Sequence, residues 1–210
     1  MKKKSLSVKK KILKNKFNKI SNKKISKIYK KFRFFIKDTI KKEKQIAVAI
    51  SGGPDSLALA YLAKYLSVKE KIKVKFFIVD HRLRKNSQEE AKKVKSFLKK
   101  FNINCQILLW RSKKPKSNIQ SIARKNRYEL LLKNCQKNNI KYLLVGHHVD
   151  DLYENFFIRL LRGSGLKGLT SFDKITVEKN KNILILRPLI DLEKNELIFI
   201  TKKIFKFYIE

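Results

Sequence analysis

Cysteine is nearly absent from this sequence: Cys105 and Cys135 are the only two, thirty residues apart, and no Cys-x-x-Cys pair occurs. That spacing argues against a structural zinc site, an iron–sulfur cluster or a disulfide framework, and it implies a reducing compartment. No apolar run approaches the ~20 residues needed to cross a bilayer, and the N-terminus lacks the apolar core of a secretory signal. A soluble, intracellular protein with no membrane partner is expected. Proline is scarce, and its three positions mark turns rather than a linker. Acid is scarce as well. Asp and Glu total 17 against 53 Lys and Arg, a formal net charge of +36. Such a chain attracts any polyanion, and nucleic acid is the leading partner. The alternative source of the charge is a compositional drift that raises Lys, Asn and Ile together.

What is present falls into two parts. Residues 1–37 contain no acid and interleave lysine with Ile, Leu and Phe. Residues 1–44 are therefore expected as a basic N-terminal extension, helical or partly disordered, acting either as an amphipathic RNA-binding helix or as an arginine-poor organelle leader. Residues 45–210 alternate apolar strand-length runs with helical-period segments, the pattern of one doubly wound α/β domain on a mainly parallel five-stranded sheet. The strands are expected at 45–50, 74–80, 104–110, 142–145 and 183–186. Helices are expected at 55–67, 88–101, 118–138, 150–162 and 192–206. Right-handed crossovers would bring the loops at 51–56, 80–84 and 146–151 to one edge of the sheet.

The first of these loops, Ser51-Gly52-Gly53-Pro54-Asp55-Ser56, follows an apolar strand and opens a helix. Glycines let backbone N–H groups converge, the two serines add hydroxyls, and the helix N-terminus is positive, so a phosphate suits the loop. The Gly-Lys-Ser/Thr ending of a Walker A motif is missing. Asp55 needs a cation to face, and phosphate-bound Mg²⁺ fills that role. An ordinary strand-to-helix turn, capped by Asp55 or Ser56, is the competing reading. Asp80 and His81 end the second strand, where they could meet ribose, adenine or phosphate, or simply cap the next helix. Arg124 and Arg127 share one helix face at i,i+3. Asp151 and Glu154 do the same behind His147, as ligands to a cation or as early-turn carboxylates that stabilise a helix.

The hexapeptide resembles the pyrophosphate loop of the N-type ATP pyrophosphatases. Taken in order with Val79-Asp-His-Arg-Leu-Arg84, Ala123-Arg-Lys-Asn-Arg-Tyr128, Gly146-His-His-Val-Asp-Asp151 plus Glu154, Arg162-Gly-Ser-Gly165 plus Gly168-Leu169, and Arg187-Pro-Leu189, it resembles the tRNA(Ile)-lysidine synthetase family over about residues 45 to 200. The resemblance implies an adenine nucleotide alpha hydrolase-like, Rossmann-like fold. It implies a ligase that adenylates the wobble cytosine of tRNA(Ile) bearing a CAU anticodon and then joins free L-lysine to carbon 2, releasing AMP and pyrophosphate. The implied ATP-binding residues are Ser51, Gly52, Gly53, Pro54, Asp55, Ser56, Asp80 and His81, with Mg²⁺ at Asp55. The implied catalytic residues are Asp55, Arg127, His147, Asp151 and Glu154. A bacterial cytoplasm is the expected location, with an organelle matrix or stroma as the alternative, and a homodimer stays open beside a monomer. A related tRNA 2-thiolation and a non-catalytic RNA-binding paralogue are the other readings.

Arg82 stands where the family usually has Gly, and Leu152 where Gln is frequent. The sequence stops at Glu210, where the family continues into an Asp-x-Ser-Asn segment and RNA-binding helices. A partner chain, the basic N-terminus or a loss of activity is expected to account for that.

Overall fold

A computed structural model describes residues 17, 20–41, 43–111, 117–161, 163 and 173–208. Six strands, β1 (Gln45–Ile50), β2 (Lys73–Asp80), β3 (Cys105–Leu109), β4 (Tyr142–Leu144), β5 (Ile175–Glu178) and β6 (Ile183–Leu186), form one sheet in the order β3-β2-β1-β4-β6-β5. All neighbours pair in parallel except β5 with β6. Six α-helices lie among the described residues: α1 (Lys23–Ile40), α2 (Pro54–Glu70), α3 (Ser87–Lys99), α4 (Ile119–Lys137), α5 (Val149–Leu161) and α6 (Lys194–Ile204). The sheet is thus six-stranded rather than five-stranded. The extra strand, β5, is a four-residue antiparallel edge whose Ile175 and Val177 are exposed, so it carries no buried apolar run to announce it.

Period-two alternation divides the core between the sheet's faces. Ile46, Val48 and Ile50 of β1, with Phe76 and Ile78 of β2, pack beneath α1, α2, α3 and α6. Ala47 and Phe77 point the other way, with Leu143 and Ile185, onto Leu131, Leu132 and Cys135 of α4. Helix α2 is apolar nearly all round, from Leu57 through Ala63, because neighbours cover it on every side. One of these is α1. Asn22 caps α1 by accepting the N–H of Ile25 at 3.1 Å, and Ile25, Ile28, Tyr29, Phe32, Ile36 and Ile40 enter the same core as α2. Helix α6 braces α2 from another side, where the fully buried Thr201 hydroxyl donates to the carbonyl of Pro54 at 2.8 Å.

Strand β1 has β2 on one side and β4 on the other, so successive crossovers part in opposite directions there. That divergence opens a crevice at the carboxyl ends of the strands, the place where such sheets bind ligands.

Candidate active site

The phosphate loop occupies this crevice. Gly52 adopts φ 100, a conformation open to glycine, and Gly53 leads into Pro54 at the first position of α2. Neither Asp55 nor Ser56 caps the helix; Gly53 is the N-cap. The Ser56 hydroxyl instead organises the loop, accepting the N–H groups of Ser51 and Gly52 at 3.1 Å each and donating to the carbonyl of Gly53 at 3.0 Å. What faces an anion is the first turn of α2, whose N–H groups at Asp55 and Ser56 have no acceptor four residues back within the helix.

The β4–α5 junction packs against that turn. A side chain at Gly146 would put its Cβ 3.1 Å from the backbone of Asp55 and Ser56, tighter than ordinary van der Waals contact, so glycine suits the close approach of the two loops. Just beyond, the buried His148 places Nε2 3.6 Å from a carboxylate oxygen of Asp55 and 3.6 Å from one of Asp151. Its Nδ1 accepts the N–H of Asp150 at 3.3 Å, which leaves the ring hydrogen on Nε2 between the two acids. The Asp151 carboxylate in turn accepts the His148 N–H at 2.9 Å. Burial raises the Asp55 carboxyl above its ordinary value; His148 and Lys194 oppose that shift, and Asp151 and Asp150 reinforce it. Oδ1 of Asp55 is buried and has no hydrogen-bond partner among the described residues. Among the described residues no group of three or more His, Cys, Asp or Glu is set to hold a metal ion alone. A Mg²⁺ that takes one carboxylate and completes its shell with phosphate oxygens and water fits Asp55.

His147 faces a different set of groups. Its Nδ1 accepts Nε–H of Arg187 at 3.2 Å, so Nε2 carries the hydrogen, and burial is the main cause that holds its pKa down to about 4. It is neutral at physiological pH. Arg187 is itself buried and donates also to the Asp173 carbonyl at 2.8 Å and the Thr176 hydroxyl at 2.7 Å, clasping the β5–β6 hairpin to the site.

The opposite wall comes from β2. Asp80 is buried, and its Oδ1 accepts from the Arg82 N–H at 2.9 Å and the Ser87 hydroxyl at 2.7 Å, which shapes the turn into α3. Arg82 in that turn has φ 52, the left-handed region that glycine enters without strain. His81 Nε2 accepts from Arg127 Nε at 3.1 Å, so its hydrogen lies on Nδ1, and burial followed by Arg127 lowers its pKa. Asp80 Oδ2 and His81 Nδ1 are buried without protein partners among the described residues, one acceptor and one donor. Buried polar atoms of that kind call for a ligand or water.

A cavity of about 470 Å³ joins these walls and is lined by Ser51, Asp55, Ser56, Asp80, His81, Arg127 and His147. Its size suits a nucleotide. Gly52, Gly53 and Pro54 shape the loop at its rim without lining it. Asp151 reaches the site through His148, whereas Glu154 is exposed on α5 outside the cavity lining. Sequence reasoning did not single out His148: two adjacent histidines look alike until the entry into α5 decides which one turns inward. Nor did it single out Gly146, whose role exists only because a second loop packs on it. Arg162, Ser164, Gly165, Gly168 and Leu169 lie outside the described residues.

Comparison with known proteins agrees with this geometry. The chain is 44% identical over 153 residues to the tRNA(Ile)-lysidine synthase of Orientia tsutsugamushi, covering 73% of this chain and 34% of that protein. It is 43% identical to the enzyme of the same name from Wolbachia pipientis wMel, over 73% of this chain and 36% of the relative. Against that of Rickettsia akari it is 39% identical over 81% of this chain and 40% of the relative. The chain thus spans little more than a third of the length of these curated relatives. In fold it is similar to the U34-tRNA thiolase NcsA of Methanococcus maripaludis, with TM-score 0.74 and 19% identity over 89% of this chain and 66% of that one. An NH3-dependent NAD synthetase from Campylobacter jejuni gives TM-score 0.53 at 17% identity, over 87% of this chain and 76% of that one. The model of the PP-loop domain matches residues 17–209, a span that takes in α1 as well as the whole sheet, and the chain belongs to the PP-loop domain family.

Proposed function

We propose that this chain is the catalytic part of an ATP-dependent tRNA(Ile)-lysidine synthase. The observation that carries the reading is the meeting of the phosphate loop, the Asp80–His81 wall, Arg127 and His147 around one cavity, in a chain 44% identical to an enzyme of that name. In the first half-reaction, O2 of the wobble cytosine attacks the α-phosphorus of ATP, an O–P bond forms, and the bond to the β-phosphate oxygen breaks as pyrophosphate leaves. In the second, the ε-amine of lysine forms a bond to carbon 2, AMP departs with O2, and the amine proton is lost to solvent. Bound Mg²⁺ would neutralise charge on the departing pyrophosphate, with Asp55 as its protein ligand.

The protein's own contribution is binding and orientation. The first turn of α2 receives phosphate oxygens, and Asp80 Oδ2 and His81 Nδ1 supply a buried acceptor and donor for the nucleoside. Neutral His147, held by Arg187, lines the cavity and helps to position the adenylated base, and Arg127 in the same lining offers it charge. Asp151, with Glu154 on the next turn, attracts the cationic lysine.

Thiolation of the tRNA is the second reading, prompted by the likeness to the thiolase, which concerns the fold alone. Against it, Cys105 and Cys135 are both buried, and burial pushes each thiol up to about 12, so neither supplies a thiolate. Incubating the chain with ATP, lysine and a CAU-anticodon tRNA transcript, then weighing the nucleosides, separates the readings. Cytidine gaining the mass of lysine less water is expected. An exchange of oxygen for sulfur once a sulfur donor is added, or an unmodified transcript, would overturn it.

A further inference from the structure

Helix α1 buries one face completely and leaves a different chemistry on the other. At ~100° per residue, Lys23, Lys27, Lys30, Lys31 and Phe34 fall within roughly 100° of arc, opposite the stripe that enters the core. All five are exposed, and Phe34 is 75% so. The flanking cations are already engaged: Arg33 and Lys37 both bind Glu70 at the end of α2, and Lys24 reaches Glu196 at 4.0 Å. These four lysines have no acidic partner among the described residues, and with Phe34 they extend ~16 Å along the axis. Asp38, one turn beyond Phe34 on the same face, is the single acid of α1 and pairs with none of the four; α3 carries two acids, Glu89 and Glu90, in its first turn.

An exposed aromatic ring set among unpaired cations is the arrangement that binds single-stranded nucleic acid, with the ring stacking on a base and the ammonium groups following the phosphates. We propose that this face of α1 holds an unpaired stretch of RNA. The identification of that RNA as part of the tRNA substrate rests on the proposed function; the chemistry of the face does not.

The test measures binding of a CAU-anticodon tRNA transcript and of a short single-stranded RNA to the full chain across several salt concentrations, without ATP or lysine. The triple variant K27Q/K30Q/K31Q should lower the slope of log affinity against log salt by about 2, from ~0.7 per phosphate contact on single strands. A matched triple on α3, K92Q/K93Q/K99Q, should change it far less. F34A should weaken binding about 5- to 150-fold with the slope unchanged, the fold-change that corresponds to losing one stacked base. Equal slope changes in the two triples would mean diffuse charge attraction and overturn the proposal. So would curves unmoved by either α1 variant, the result expected if the face served an acidic protein. Urea unfolding curves matching the parent confirm that both exposed-face variants fold. Because the chemistry is left out, loss of lysine transfer would refute the proposed function and leave this result standing; intact transfer with unmoved binding would do the reverse.

Discussion

At the scale of single residues, charge and burial set what the site can do. Asp55 combines a buried, unpartnered Oδ1 with a carboxyl that burial raises, an arrangement a cation would relieve. Asp55→Asn removes that charge and little else, so AMP release in the presence of lysine and transcript should fall at least ~10²-fold, with the unfolding midpoint close to the parent. Unchanged turnover would remove Asp55 from the mechanism. His147 makes a separate prediction about pH. Burial holds it near 4, against 6.5 for an ordinary imidazole, so between those values the unfolded chain binds the proton and the folded one does not. The stabilisation is complete above pH 6.5 and is lost as the pH falls toward 4. Relative to a His147→Gln variant, the parent should lose on the order of 2 kcal/mol across that interval in urea titrations, a figure discounted for partial exposure. Parallel losses in both proteins would contradict it.

At the scale of elements, the close approach of two loops is the feature most open to test. A methyl group at Gly146 would meet the backbone of Asp55 and Ser56 at 3.1 Å, so that turn must give by a few tenths of an ångström to admit it. Gly146→Ala should displace the first turn of α2 and lower kcat/KM for ATP by roughly 10- to 100-fold, as displacements under 1 Å do at a reacting centre. Steady-state AMP release at varied ATP would show it, and a parent-like kcat/KM would mean the strand end shifts instead. The elements themselves were largely legible. The windows at 74–80 and 104–110 became β2 (Lys73–Asp80) and β3 (Cys105–Leu109), because each carries a short apolar run, Phe76 to Val79 in β2 and Ile107 to Leu109 in the edge strand β3. Strand β5 was not, being a four-residue edge with its apolar residues outward. Within the site, the i,i+3 pairing of Asp151 and Glu154 was read correctly as spacing but did not reveal that one turns to His148 and the other to solvent. Residues three apart stand ~60° around a helix, enough to straddle the boundary of its buried face.

At the scale of the whole molecule, +36 is a large charge for 210 residues, and the acids that could offset it are few. Several are committed to local pairs, such as Glu70 with Arg33 and Lys37, and Glu43 with Lys141 at 2.7 Å. Self-repulsion of the remaining cations should therefore weaken the folded state at low ionic strength. The melting temperature is expected to rise between about 20 mM and 150 mM salt, where the Debye length drops below ~10 Å. A fall over that range would show that attractive pairs outweigh repulsion. The bond from Thr201 to Pro54 has a consequence of another kind, for it joins residues 147 apart. During synthesis the phosphate loop leaves the ribosome early, yet the helix behind it stays unbraced until α6 has been translated. The glycines and acids of the site precede α6 in the chain, so competence for nucleotide waits on that helix and does not come with the residues that touch the ligand.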